Sequence, residues 1–130
     1  MKYKPGFTII EILFIVIFLG IASVFFFIQK NDIEVASRDD TRRTAINAFY
    51  YGLEEVYFKE HKSYPRTLNS QTLPFVDADL FTDPFGVKLG EGDSDYRYEV
   101  SNCEGESCKS YTLRADLEAE DDFIKQSRNN

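Results

Sequence analysis

Residues 7–28 read FTIIEILFIVIFLGIASVFFFI, and they hold almost all of the strongly apolar sequence in the chain. As an α-helix these 22 residues span roughly 33 Å, which is enough to cross a hydrocarbon core of about 30 Å. A lone segment in lipid satisfies its own backbone hydrogen bonds only as a helix. Lys2 and Lys4 precede the run and no comparable basic cluster follows it. This asymmetry predicts a cytoplasmic N-terminus and a chain whose bulk lies outside the membrane.

Two ordinary membrane-targeting segments are alternatives for this run. A cleaved secretory signal peptide has an apolar region of about 7–15 residues, and here Phe25 to Ile28 continue the run where a small-residue cleavage site would be expected. An uncleaved signal anchor fits the length but not Glu11, because a carboxylate inside a membrane helix costs about 2.5–3.5 kcal/mol. The run contains no basic side chain. The nearest candidate partner is therefore a new α-amino group on Phe7, created by cleavage after Gly6.

The segment Lys4–Leu13, KPGFTIIEIL, resembles the signature of type IV prepilins and pseudopilins. That signature is a short basic leader ending in Gly, then Phe-Thr, two aliphatic residues, Glu and a long apolar run. The resemblance implies that a prepilin peptidase/methyltransferase cuts after Gly6 and methylates Phe7. It also implies that Thr8 and Glu11 act in subunit assembly, where the carboxylate neutralises the N-terminal amine of a neighbouring subunit.

The resemblance further implies a function and an organisation. The expected function is that of a structural subunit of an extracellular type IV pilus, serving adhesion and twitching motility. The alternatives are a pseudopilin of a type II secretion or competence (DNA-uptake) machine and a monomeric membrane-anchored binding protein. One family feature is missing, because Ile28 stands where many type IVa pilins have a proline. The expected segments are a leader at 1–6, a transmembrane or filament-core helix at 7–28, its amphipathic continuation at 29–64, and a β-rich head with a C-terminal tail at 65–130.

The expected partners are those of a pilin. Besides the peptidase they are other copies of the chain and other pilins, an inner-membrane assembly platform, and membrane lipid before assembly. The subunit is expected as a single-pass protein of the cell membrane with its head outside, and after assembly in the extracellular filament.

Composition argues against several other functions. The chain has 15 Lys and Arg against 22 Asp and Glu, a net charge of −7, and such a surface does not attract phosphate backbones. No direct binding of nucleic acid is expected. With one histidine, His61, no tryptophan and no recognisable catalytic arrangement, neither an enzyme nor a cofactor is expected. Asp77, Asp79, Asp93 and Asp95 form Asp-x-Asp pairs that could offer calcium oxygen ligands, but we expect them to keep loops soluble, and no metal is expected.

Residues 29–62 predict a continuation of the helix. They contain no proline, Gly52 is their only glycine, and their apolar residues recur at steps of three and four, which is typical of a core-facing helical stripe. The helix should end before Pro65, because proline disfavours the α conformation in Tyr64. We expect one helix over about residues 7–62. The stripe comprises Ile46, Phe49, Tyr50, Leu53, Val56 and Tyr57. A charged cluster precedes it, comprising Asp39, Asp40, Arg42 and Arg43. We expect this cluster on a solvated helix face, or near neighbouring stems in a filament.

Alternating apolar residues predict strands at Tyr96–Val100 and at Tyr111–Leu117. If Cys103 faces Cys108, all the apolar pairs of these strands fall on one face and the cysteines on the other, and a slip of one residue destroys the agreement. The register opposes Val100 to Tyr111, Tyr98 to Leu113, Tyr96 to Ala115 and, less favourably, Arg97 to Arg114.

An even pair of cysteines in a short chain with an export-type N-terminus indicates a Cys103–Cys108 disulfide formed outside the cytoplasm. A reduced pair is one alternative. Zinc is another, although C-x₄-C with one distant histidine is not a usual ligand set.

The remaining segments complete an α+β fold. A long N-terminal helix, with a membrane half and an amphipathic half, is expected to pack around Phe49 and Leu53 on a small antiparallel sheet of about three or four strands. Residues 65–94 predict a turn-rich surface loop with a turn at Asp83–Gly86. Asn102–Lys109 is expected to connect the two strands, and the tail Asp121–Asn130 to be frayed or loosely packed.

Overall fold

The computed structural model describes residues 6–129, which divide into two compact units at residues 6–34 and 35–129. The first unit is helical from Ile9 onward, and all of its side chains are exposed. By length and composition the helix that begins there could cross a membrane. The second unit contains the hydrophobic core. The chain is therefore α+β, and its apolar N-terminal segment buries nothing of its own.

The helix ends close to the predicted position. Helix α1 spans Ile9–Tyr51, a π-helical turn follows at Gly52–Tyr57, and α2 spans Phe58–His61. Lys62 then adopts a left-handed conformation with φ of 56°, and its N–H donates to the carbonyl of Phe58. This αL cap ends the helix before Pro65. The π-helical turn was not predicted.

Four strands form one antiparallel sheet around a central strand. They are β1 at Tyr64–Pro65, β2 at Tyr96–Glu104, β3 at Ser107–Ala115 and β4 at Phe123–Gln126. β2 pairs with β3 from Tyr96 to Glu104, except at Asn102, whereas β1 and β4 share the opposite edge of β3. The strand count agrees with the expected three or four.

The predicted register of β2 and β3 is confirmed at every pair. The awkward contact between Arg97 and Arg114 is present, and the carboxylate of Asp116 approaches their guanidinium groups at 3.6 Å and 3.5 Å. The register places Tyr96, Tyr98 and Val100 opposite Ala115, Leu113 and Tyr111, and Cys103 opposite Cys108.

The predicted connection between these strands was too long. β2 and β3 continue until only Gly105 and Glu106 separate them. Gly105 has a φ of 63°, as the first central residue of a type II′ hairpin turn requires. Both cysteines therefore lie within strands, and β3 ends at Ala115, before Leu117.

The prediction of a frayed tail was wrong. β4 pairs with β3 from Phe123 to Gln126, and the N–H of Ser127 donates to the carbonyl of Tyr111 at 3.1 Å. Phe123 packs against the core. The segment is polar, but this one aromatic contact and the ladder hold it on the sheet.

The core lies between the second part of α1 and the sheet, as expected. Phe49 and Leu53 are fully buried, and the Phe49 ring lies 6.2 Å from that of Tyr96. The turn at Asp83–Gly86 is confirmed by a hydrogen bond from the N–H of Gly86 to the carbonyl of Asp83. Residues 65–94 are more than a surface loop, since they contribute three buried core residues, Leu68, Leu73 and Phe81.

Candidate functional site

The N-terminus of α1 is closed by a reciprocal pair of hydrogen bonds. The backbone N–H of Thr8 donates to Oε2 of Glu11 at 2.7 Å, and the N–H of Glu11 donates to Oγ1 of Thr8 at 3.4 Å. The Thr8 hydroxyl also donates to the same carboxylate at 2.9 Å. This is a capping box, which satisfies N–H groups that the first helical turn leaves without partners. Sequence reasoning did not identify this local role for Glu11.

Among residues 6–34 no cationic side chain lies within reach of the Glu11 carboxylate. Lys30 is the only basic residue among residues 6–34, and it lies 19 positions from Glu11, roughly 28 Å along a helix. Its ammonium group instead approaches Glu34 at 3.6 Å. Around Glu11 the helix surface is apolar and exposed, as at Ile12 and Leu13. An anionic group therefore sits in a surface that is otherwise suited to lipid or to other apolar helices.

The predicted cleavage position lies at the border of the described residues. Of the leader at residues 1–6 only Gly6 is described, and the rest lies outside the described residues. Gly6 and Phe7 precede the helix without regular structure, and the Phe7 side chain is 76% exposed. The peptide bond between them is therefore accessible to a peptidase.

The prediction of a solvated helix face was wrong for Asp39 and Arg42, whereas Asp40 is exposed and Arg43 is partly exposed. Arg42 is 1% exposed and Asp39 is 3% exposed. The Arg42 guanidinium donates to Asp39 at 2.8 Å, to Asp95 at 2.6 Å and to Glu118 at 2.8 Å. Arg38 adds a bidentate contact with Glu118, with distances of 2.7 Å and 2.6 Å. This Arg42 network joins α1 to the segments before β2 and after β3.

The network lowers the pKa of its carboxyl groups. Hydrogen bonds from Arg38 and Arg42 lower the pKa of Glu118 to about 2. Burial disfavours the charged form of Asp39, but the backbone N–H groups of Glu118 and Ala119, together with Arg42, outweigh burial and lower its pKa. The network is therefore ionised at neutral pH, where its hydrogen bonds are charge-assisted.

A second buried polar cluster surrounds Glu54 in the π-helical turn. Its carboxylate is reached by the hydroxyl of Tyr111 at 2.9 Å, by that of Tyr64 at 3.1 Å and by the N–H of Arg128 at 3.1 Å. Burial is the main cause that raises the pKa of Tyr111, and the adjacent Glu54 carboxylate adds to it. The Glu54 cluster ties the helix to β1, β3 and the C-terminal segment.

The cysteines form the predicted disulfide, and Cys108 is fully buried. The Asp-x-Asp pairs do not converge, and among residues 6–129 no group of three or more His, Cys, Asp or Glu side chains could hold a metal ion. Asp77 instead accepts from the N–H of Asp79 at the start of a 3₁₀ turn, Ala78–Phe81.

The predicted site residues fall into two groups. Gly6, Phe7, Thr8 and Glu11 are consecutive or one helical turn apart in the first unit, while the disulfide belongs to the second. Comparisons with protein-family models, with curated proteins and with solved structures found no significant match. The N-terminal group is the candidate functional site on its own geometry: an exposed peptide bond, a capped helix start and an anion in an apolar surface.

Proposed function

We propose that this chain is the precursor of a type IV pilin-like subunit, which polymerises through its N-terminal helix into an extracellular filament. The observation that carries the proposal is Glu11, an anion on an exposed apolar helical segment where residues 6–34 offer no cationic side chain nearby. A plain anchor gains nothing that offsets the cost of that charge in lipid. Cleavage after Gly6 would create a cationic chain end four residues away.

Assembly would move the helix from lipid into a bundle of similar helices. Lipid tails and apolar side chains are about equally apolar, so this transfer gains little hydrophobic free energy and depends on packing and polar contacts. The amine of Phe7 in one subunit and the Glu11 carboxylate of its neighbour would neutralise each other. Because the pairing fixes one axial offset, it would also set the register between subunits.

The second unit supports an extracytoplasmic location for the head. A disulfide persists in oxidising compartments, and the Cys103–Cys108 bond lies in a domain with its own buried core. The head also carries two charged clusters that need no ligand, because the Arg42 network and the Glu54 cluster are satisfied within the chain. Adhesion and twitching motility are the activities we propose for the filament.

The capping box offers a competing explanation for Glu11, and glutamine distinguishes the two. Gln at this position of a capping box can also reach back to the N–H of residue 8, but it carries no charge to neutralise an amine. We therefore expect Glu11→Gln to keep the helix and its membrane insertion, yet to reduce incorporation into sheared filaments more than tenfold, a change of about 1.4 kcal/mol or more.

The matched control is Glu34→Gln, which removes a carboxylate of the same helix beyond the apolar run. It should leave incorporation unchanged, and Thr8→Val, which damages the cap but not the charge, should reduce it less than Glu11→Gln does. Normal incorporation of Glu11→Gln would refute the proposed pairing. Loss of protein export or of DNA uptake on deletion of the chain, without visible filaments, would instead support the pseudopilin alternative.

A further inference from the structure

β2 is an open edge of the sheet. It pairs with β3 on one side, and within residues 6–129 no backbone hydrogen bond joins its other side to any element. The strand runs from Tyr96 to Glu104 and contains no proline. An edge of this kind presents unpaired N–H and C=O groups to which another strand can add.

The hydrogen-bond pattern identifies which backbone groups are free. The N–H of Asp116 donates to the carbonyl of Asp95 at 2.9 Å, and these two positions continue the register of β2 and β3. Pairs alternate along an antiparallel ladder, so Arg97 and Glu99 direct their backbone groups to β3. Tyr98, which lies between them, therefore directs its N–H and C=O outward, as does Val100.

The space beside this edge is open. A groove of about 670 Å³ runs along Tyr96–Glu99 and is bounded by the loops at residues 66–69 and 88–92. No described segment of the chain fills it. A second strand laid against β2 would extend the sheet across the mouth of this groove.

The charges along the edge are complementary to themselves. Arg97 and Glu99 lie two residues apart on the same face of β2, and Arg97 is partly exposed beside Asp116. Glu99 is exposed and forms no ion pair within the described part of the chain. Charges of one sign would protect an edge by repelling a second copy. Here a cation and an anion flank Tyr98. When two copies of the strand pair antiparallel about Tyr98, each cation faces an anion of the other copy, so the charges attract.

We propose that β2 is a self-association surface, which pairs antiparallel with β2 of a second copy of this chain about Tyr98. The N–H of Tyr98 donates to the Tyr98 carbonyl of the second copy, and the reciprocal bond forms by symmetry. Arg97 then faces Glu99 of the second copy in the closely spaced, non-hydrogen-bonded pair. Tyr96 faces Val100 of the second copy on the apolar face. The contact is isologous, with the same patch on both chains.

This proposal does not depend on the proposed function. A twofold contact cannot join successive subunits of one polar filament, because those all point the same way. The pairing uses no residue of the N-terminal apolar segment, so its outcome is independent of leader cleavage and of Glu11.

Charge reversal with rescue tests the pairing. The full-length chain in mild detergent is compared by sedimentation equilibrium as wild type, Arg97→Glu, Glu99→Arg and the double variant. Each single change places like charges opposite each other in both symmetry-related contacts of the dimer. We therefore expect the dissociation constant of the dimer to rise about tenfold or more. The double variant restores opposite charges and should return to within about threefold of wild type. Any association of the apolar helices is common to all four proteins.

Glu106→Arg in the hairpin turn is the matched control, since it makes the same charge change outside the contact and should leave dimerisation unchanged. Equal association of all four proteins, or a double variant as weak as the single variants, would overturn the proposal. If another protein were the true occupant of this edge, all four proteins would associate equally, which is the first of these results. Amide exchange gives an independent readout: the Tyr98 N–H should become more protected as concentration rises, and unchanged protection would contradict the pairing.

Discussion

Replacing Arg42 by Ala should destabilise the head strongly, because Arg42 is the buried centre of a charge network. Its side chain is 1% exposed and that of Asp39 is 4% exposed. Loss of Arg42 leaves Asp39 without its only cationic partner among residues 6–129, and it also removes the contacts to Asp95 and Glu118. Removing one partner of a buried ion pair typically costs about 3–5 kcal/mol. Domains of this size are stable by about 5–15 kcal/mol in total, so the variant is expected to lose a large part of its stability.

The neighbouring Arg43 provides the matched control. Its side chain is 33% exposed and its partner Glu120 is 66% exposed, so Arg43→Ala should cost about 1 kcal/mol or less. Urea unfolding of the full-length chain in detergent, followed by tyrosine fluorescence, measures both free energies of unfolding. If Arg42→Ala lies within about 1 kcal/mol of Arg43→Ala, the network does not stabilise the head as its burial implies.

The same variant should change the dependence of stability on pH. Both Glu118, with a pKa lowered from 4.5 to about 2, and Asp39, also lowered, are more acidic in the folded state. Their contribution is present above the unfolded pKa values and is lost as pH falls from about 4.5 towards 2. Because Arg42 helps to lower both pKa values, Arg42→Ala should lose less stability over this interval than wild type. Parallel curves for the two proteins would contradict the assignment.

Three further changes test other contacts in the head by the same unfolding measurement. Glu54→Ala leaves two buried tyrosine hydroxyls without their acceptor and should lower the free energy of unfolding by about 2–4 kcal/mol. As its control, Glu55→Ala at a 43% exposed side chain should lower it by less than about 1 kcal/mol. Gly52→Ala would place a Cβ 3.0 Å from the Phe75 ring. The overpacking cost of about 1–3 kcal/mol should outweigh the gain of about 1 kcal/mol from the higher helix propensity of alanine. As its control, Gly92→Ala has nothing within 4 Å of the added Cβ and should leave stability nearly unchanged. Reduction of the disulfide should cost about 2 kcal/mol, since the closed loop is short. Neutral results for Glu54→Ala or Gly52→Ala, or no loss on reduction, would contradict the contacts assigned to them.

The strand register could be predicted because several constraints agreed on one pairing. The alternation of Tyr96, Tyr98 and Val100 on one strand fits the other strand in a single register once the cysteines face each other. Strand ends were less predictable. Gly105 suits a tight turn, but the polar residues on either side of it show no alternation of apolar side chains. The sequence therefore does not indicate that pairing continues to Glu104 and Ser107.

The buried charges were missed because polarity was given more weight than position. Arg42 precedes Ile46 by four residues and Asp39 precedes it by seven, so both lie on the same helical stripe as the core residues. Glu54 follows Tyr50 by four residues and lies on the stripe as well. Their positions could have indicated burial. Most of their partners, however, come from segments 53 to 80 residues away, which helical periodicity cannot identify.

The tail was missed for a similar reason. β4 has four residues, and Phe123 is the only large side chain in it that packs on the core. So short a strand has little intrinsic preference. Its structure depends on the free edge of β3 and on the Glu54 carboxylate that receives the N–H of Arg128, neither of which is visible locally.

The mass of the mature N-terminus tests the central claim most directly. The native protein is purified from membranes and from sheared filaments, and its N-terminal peptide is measured by mass spectrometry. The proposed function predicts a chain that begins at Phe7, one methyl group heavier than the unmodified residue, with residues 1–6 absent. A mature chain that retains Met1, or one cut beyond the apolar run, would contradict it.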